Sequence, residues 1–216
     1  MSPRKGQRMS PRKVGAVYLL ALAVVAAVLT LTGEREERHG RRCTAPGAVL
    51  LPDREVPATD LSARKLRCAN LEGATLDGVV SEADLRESNL HRVRFEGAGL
   101  SNVDLSGADL TEAEGRRAVL DGVRLTGADL RDAQLSGAAF TDVGLDGARL
   151  HGADLRDATF RRSDLRKADL RGADLRGAEL TDSDLRGARL DGARLDDVTY
   201  VDVLCPNGKK SVAGAC

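Results

Sequence analysis

Ala168-Asp169-Leu170-Arg171-Gly172 is followed at once by Ala173-Asp174-Leu175-Arg176-Gly177, and these ten residues set the plan of the chain. Counted in fives from Leu85 to Tyr200, 23 of 24 positions are Leu, Phe or Tyr, the exception being Gly115. Two residues before each of them, from Ala83 to Val198, all 24 are Ala, Ser or Val. A period of five fits neither regular element. On a helix it rotates by about 140° per step and scatters the leucines around the cylinder. On a strand the odd spacing sends successive leucines to opposite faces. The chain must therefore turn within every pentad at one fixed phase, which describes a solenoid lined by Leu and Ala. Gly stands two places after the central residue in 11 of the 24 pentads, a turn signature.

The A-D-L-R-G pattern resembles that of the pentapeptide-repeat family, A(D/N)LXX, over about residues 60–202. The resemblance implies an all-β fold, a right-handed quadrilateral β-helix with four pentads per coil and about seven coils. The sequence carries its own test of the 20-residue coil. Val103, Val123 and Val143 share one column, continued by Ser163 and Ser183, and Phe140 stands over Phe160 with Tyr200 beyond. One register slip is visible. Leu61, Leu66, Leu71 and Leu76 keep the period, but Leu76 to Leu85 is nine residues, so an irregular corner is expected in Asp77–Glu82. At Gly115 the Phe95 ring is expected to lean into the vacant place.

Composition bounds the remainder. The 216 residues carry 33 basic and 33 acidic side chains, only 2% aromatics and no Trp. The charge balance argues against a polyanion binder or a uniformly acidic nucleic-acid mimic, and the scarcity of rings excludes an aromatic stacking surface. Residues 1–13 form a basic tail with Arg4, Lys5, Arg8, Arg12 and Lys13. Residues 14–32, VGAVYLLALAVVAAVLTLT, are uncharged for 19 positions. As a helix this run spans roughly 28 Å, close to a hydrocarbon core, and the basic flank places the N-terminus in the cytoplasm. It reads as a transmembrane helix, with a cleaved signal peptide as the rival. Residues 33–59 read as linker and N-terminal cap, 60–202 as the solenoid, and 203–216 as a C-terminal loop, all outside the cytoplasm.

Nothing in the sequence assembles a catalytic centre. His91 and His151 share a column but lie three coils apart, too far to share a metal. Columns such as Asp154 and Asp174 run beside Arg156 and Arg176, which reads as surface ion pairing. No metal, cofactor, nucleic acid or small-molecule substrate is expected, and no enzyme. Of the cysteines Cys43, Cys68, Cys205 and Cys216, none is assigned to an inward position. An even count outside the cytoplasm reads as disulfides, with a metal site as the weaker alternative. The tail CPNGKKSVAGAC is similar to those following some bacterial pentapeptide arrays, which implies pairing of Cys205 with Cys216; Cys43 and Cys68, which bracket the start of the repeats, are read as the other pair.

The expected function is that of a membrane-tethered, extracytoplasmic, non-enzymatic binding or structural module. Its partner is an unidentified protein or a second copy. The alternative, a DNA-mimic regulator of a type II topoisomerase, calls for a cytoplasmic and strongly acidic rod, whereas 60–202 holds 28 acids and 21 bases. Three sides of the coil carry 9, 8 and 10 charges at the 12 positions flanking their central residues, and the fourth carries three. Val119, Ala139, Thr141, Thr159, Thr181, Thr199 and Val201 on that fourth side form the candidate interaction face. The competing reading is that this side only has the flattest β-bridges, where Thr and Val fit best.

Overall fold

The computed structural model describes residues 52–211 and 216. They form a right-handed all-β solenoid of about seven turns. Short elements come in the order β1 (Glu55–Pro57), α1 (Ala58–Leu61), β2 (Thr75–Asp77), β3 (Val79–Ser81), β4 (Gly99–Ser101), β5 (Val119–Asp121), β6 (Ala139–Thr141), β7 (Thr159–Arg161), β8 (Glu179–Thr181) and β9 (Thr199–Val201). From β3 to β9 the strands make one seven-stranded parallel sheet, each residue paired with the one twenty places on, as Leu120 with Phe140. This is the strand side of the coil. The other three sides are held by single parallel bridges, such as Asp164↔Asp184, Asp169↔Arg189 and Asp174↔Arg194. In chain order after the strand side they are the first, second and third bridge sides, with Leu165, Leu170 and Leu175 at their respective centres.

The phase is set by burial. Leu125, Leu145, Leu150 and Leu155 are fully buried, and so are Ala128, Ala133, Ala148 and Ala153 two places before the central positions. Two apolar side chains per pentad thus fill the axis, where burying a Leu contributes about 1.5–3 kcal/mol. Phe140 and Phe160 stack at 4.6 Å with planes 6° apart. Gly115 is not a turn glycine, because its φ is not positive. A Cβ built on it would collide with Cε2 and Cζ of Phe95 and lie 3.1 Å from Leu135 Cδ2. Glycine stands there because the Phe95 ring fills its place.

Every pentad turns through a left-handed residue. All 24 positions two places after the central residues have positive φ, whether Gly, as at Gly127 (φ 64°), or not, as at Asp132 (φ 57°) and Arg162 (φ 49°). On the bridge sides the turn closes with a hydrogen bond, as Ala128 N–H to Leu125 O (3.0 Å) and Ala133 N–H to Leu130 O (3.2 Å). After the strand side it stays open, and there the next inward residue is Ala83 after β3 and then Val103, Val123, Val143, Ser163, Ser183 or Val203 in place of Ala. The serines answer the open corner: Val143 N–H donates to Ser163 Oγ (3.4 Å) and Ser163 N–H to Ser183 Oγ (3.1 Å). Their own hydroxyls donate to main-chain carbonyls, Ser183 to Thr181 O at 2.9 Å.

The register slip lies within the expected stretch, at Gly78 (φ 88°), which alone separates β2 from β3. Bridges that span it run at 19 residues, as Lys65↔Asp84, and pairs on either side of it at 20, as Glu55↔Thr75 and Asp84↔Asp104. The array also reaches further at both ends than 60–202. β1 pairs with β2 and puts Val56 over Leu76, inside the stretch read as linker. At the other end Leu204 bridges Asp184, so Val203 and Cys205 continue the buried columns. No helix among the described residues is long and apolar enough to cross a membrane. The expected helix 14–32 and Cys43 lie outside the described residues.

Candidate interaction face

On the bridge sides the residues flanking each central leucine point outward and meet each other. In Ala-Asp-Leu-Arg-Gly the aspartate accepts from the arginine two places on. Asp169 Oδ1 takes Arg171 Nε at 2.7 Å and Oδ2 takes Nη2 at 2.6 Å. The same fork joins Asp154 to Arg156, Asp164 to Arg166, Asp174 to Arg176 and Asp184 to Arg186. Further pairs run along the columns from coil to coil, as Arg149 to Asp129 (3.1 Å) and Arg162 to Asp142 (2.6 Å). The Arg171 hydrogen bonds hold the Asp169 carboxyl down at about 2, and those of Arg176 do the same for Asp174. Each such surface pair stabilises the fold little by itself, since water screens it. Their collective effect is that most of the charge on these sides is already answered within the protein.

The strand side differs in chemistry. Val79, Gly99, Val119, Ala139, Thr159, Glu179 and Thr199 form one outward column, and Ser81, Ser101, Asp121, Thr141, Arg161, Thr181 and Val201 the other. Val119 and Val201 are 50% and 47% exposed, and Ala139, Thr141 and Thr181 are partly covered by their column neighbours. The seven candidate residues therefore lie together on β5 to β9 and face outward. Val79, 62% exposed, belongs with them. A count that starts at Leu85 passes it over, because its central residue, Val80, lies one pentad earlier.

The other singled-out residues fall elsewhere. His91 Nδ1 meets Thr111 Oγ1 at 2.8 Å on the second bridge side. No cluster of metal-ligating side chains occurs among the described residues. Cys205 is joined to Cys216, with Cα atoms 5.3 Å apart. Contrary to the sequence reading, Cys205 points inward and is 2% exposed. It takes the central position after Leu185, because the array runs one side beyond Tyr200. Cys68 is disulfide-bonded, and Cys43, its expected partner, lies outside the described residues.

Eight copies of the pentapeptide repeat match residues 81–114, 116–143, 145–182 and 163–199, more than half of the chain. The chain belongs to the pentapeptide-repeat family. Among solved structures it is similar to the pentapeptide-repeat protein Rfr23 from the cyanobacterium Cyanothece 51142, at 28% identity and a TM-score of 0.40. That match covers 41% of this chain and 60% of Rfr23. HetL from Nostoc sp. strain PCC 7120, a pentapeptide-repeat protein involved in heterocyst differentiation regulation, is 23% identical with a TM-score of 0.30. That match covers 94% of this chain and 100% of HetL. QnrB1, a plasmid-mediated fluoroquinolone resistance protein, is 17% identical with a TM-score of 0.34, over 72% of this chain and 92% of QnrB1. No curated protein matches the chain in sequence.

Proposed function

We propose that this pentapeptide-repeat protein is a non-enzymatic docking rod, tethered to the membrane by residues 14–32, with the repeats outside the cytoplasm. The observation that carries the docking role is the strand side. It is a flat parallel sheet of small and β-branched outward residues with three charges at its 12 flanking positions from Gly99 to Val201. The other sides spend their charge on internal pairs, so the strand side is where a protein partner loses least hydration on contact. The tether is supported by the 19-residue uncharged run and its basic flank. An extracytoplasmic site is supported by the disulfide-bonded Cys68, Cys205 and Cys216.

The DNA-mimic alternative fits the surface less well. A duplex presents unneutralised charge at regular spacing, whereas the aspartates of the later coils are forked to arginines. The experiment for docking replaces Val119, Ala139 and Thr159 with Lys in the full-length chain and compares proteins co-purified from solubilised membranes. Loss of specific bands at unchanged thermal stability supports the strand side; an unchanged set removes it. Reporters fused at the C-terminus test the tether: a reporter active only outside the cytoplasm is expected, and one active only inside refutes it.

A further inference from the structure

Asp121 of β5 and Arg161 of β7 stand in one outward column of the strand side, with Thr141 of β6 midway between them. Two coils, roughly 10 Å, separate the pair, too far for direct contact. Both are exposed, and neither enters an ion pair or a side-chain hydrogen bond among the described residues. The neighbouring Arg162, by contrast, is forked to Asp142. The companion column reads Gly99, Val119, Ala139, Thr159, Glu179, so its smallest and its longest members lie equally far from β6. The face therefore has a centre, at Ala139 and Thr141, about which opposite charges and opposite sizes are placed evenly.

We propose that the strand side docks on the strand side of a second copy, face to face with the coils antiparallel, about a two-fold axis running along β6. The inference rests on the docking role given above to this side and names its partner. Such an axis keeps each column opposite itself and reverses its order. Asp121 then faces Arg161 of the second copy, and the reverse pair forms by symmetry, which is the self-complementarity a two-fold interface requires. Glu179 faces Gly99, Val119 faces Thr159, and Ala139 meets its own counterpart. Other registers lose the match. An axis along β5 sets Asp121 against Asp121, one along β7 sets Arg161 against Arg161, and parallel coils set Asp121 against Val119. The face measures roughly 30 Å by 12 Å, at the small end for specific contacts, so the dimer is weak and salt-sensitive. Tethering both copies to one membrane raises their effective concentration. Residues 33–51 reach about 60 Å at most, twice the length of the face, which lets two tethered chains lie antiparallel.

The test is self-association of the full-length chain in density-matched detergent micelles, measured by sedimentation equilibrium. Asp121→Arg sets like charge against Arg161 of the second copy, and Arg161→Asp sets like charge against Asp121. Each change alone is expected to weaken dimerisation at least about tenfold. Mixing the two variants, or combining both changes in one chain, restores it to within about threefold of the parent, because opposite charges face each other again. A photoreactive residue at position 159 is expected to link to β5 of the second copy, at or beside Val119. Single changes without effect, or a loss that neither mixing nor combination repairs, overturn the pairing. A monomeric parent whose adduct from position 159 contains another protein overturns the pairing and leaves the docking role standing. A monomeric parent with no adduct removes both.

Discussion

The strand side and the three bridge sides share one backbone period, one inward Leu column each and the same left-handed turn residue, yet their corners differ. After a bridge side the turn closes on itself and the next inward residue is almost always Ala, as at Ala128, Ala133 and Ala138. After the strand side the turn stays open and that residue is Val or Ser from Val103 to Val203. An open corner lets the preceding residues extend, so three residues pair instead of one. Extended, β-branched flanks then suit a flat sheet, whereas Asp and Arg flanks fork across the bridge sides. A single small-residue column, hidden inside the coil, thus goes with the change in the outer surface. The difference is at once structural and chemical, which is why stability and binding must be measured on the same variants.

The largest effect is expected inside, where all four sides are alike. Leu150→Asp buries an unpaired carboxylate at a fully buried position and is expected to cost about 4–5 kcal/mol, read as a loss of denaturant midpoint. A change on the scale of a surface substitution would mean that the inward phase is misassigned. Next comes the third side at Gly115. Gly115→Leu restores the ladder in sequence but collides with Phe95, and a cost of about 1–3 kcal/mol is expected. The double change Phe95→Leu with Gly115→Leu recovers most of it, since Leu over Leu is the rule elsewhere in the column. Simple additivity of the two single changes would reject the account of that gap.

Smaller effects separate the charged sides from the strand side. Asp169 and Asp174 titrate at about 2 in the folded protein because of Arg171 and Arg176, below the value of about 3.9 for an unfolded chain. A depressed folded value means a contribution present above the unfolded one and lost as pH falls toward the folded one. Thermal stability is therefore expected to hold from pH 7 to about 5 and to fall between about pH 4 and 2. The double change Asp169→Asn with Asp174→Asn should flatten part of that fall, and an identical acid profile would show that these pairs do not contribute to it. Smallest of all, Arg171→Ser removes one surface fork and should leave the midpoint of the same denaturant titration nearly unchanged. A loss near that of Leu150→Asp would contradict the division into inward and outward positions.

Much of this architecture was legible because a solenoid repeats one decision many times. The inward Leu, the left-handed turn position, the slip before Val80 and the stacked Phe140 and Phe160 are all consequences of period and column. Cys205 was missed as an inward residue because it substitutes for Leu at the last place of the column, beyond Tyr200. Val79 was missed because the count began at Leu85, and its central residue is Val80 where the other columns begin with Leu or Phe. The flat strand side was visible as a shortage of charge. Its corner cause, the Val and Ser column, was visible only as a column, because which turns close with a hydrogen bond is a property of the folded backbone. That the N–H groups of Leu190 and Leu195 lack an acceptor among the described residues had no sequence signal, since both look like every other central residue.

The most direct measurement of the docking account is photo-crosslinking in living cells with a photoreactive amino acid at single outward positions of the full-length chain. Thr159 on the strand side is to be compared with Arg166 and Arg171 on the bridge sides, the first two exposed and Arg171 partly so. A discrete protein adduct from position 159, absent or several-fold weaker from 166 and 171, is the predicted result. Equal adducts from all three positions, or none from 159, would contradict the claim that the strand side is the surface by which this protein works.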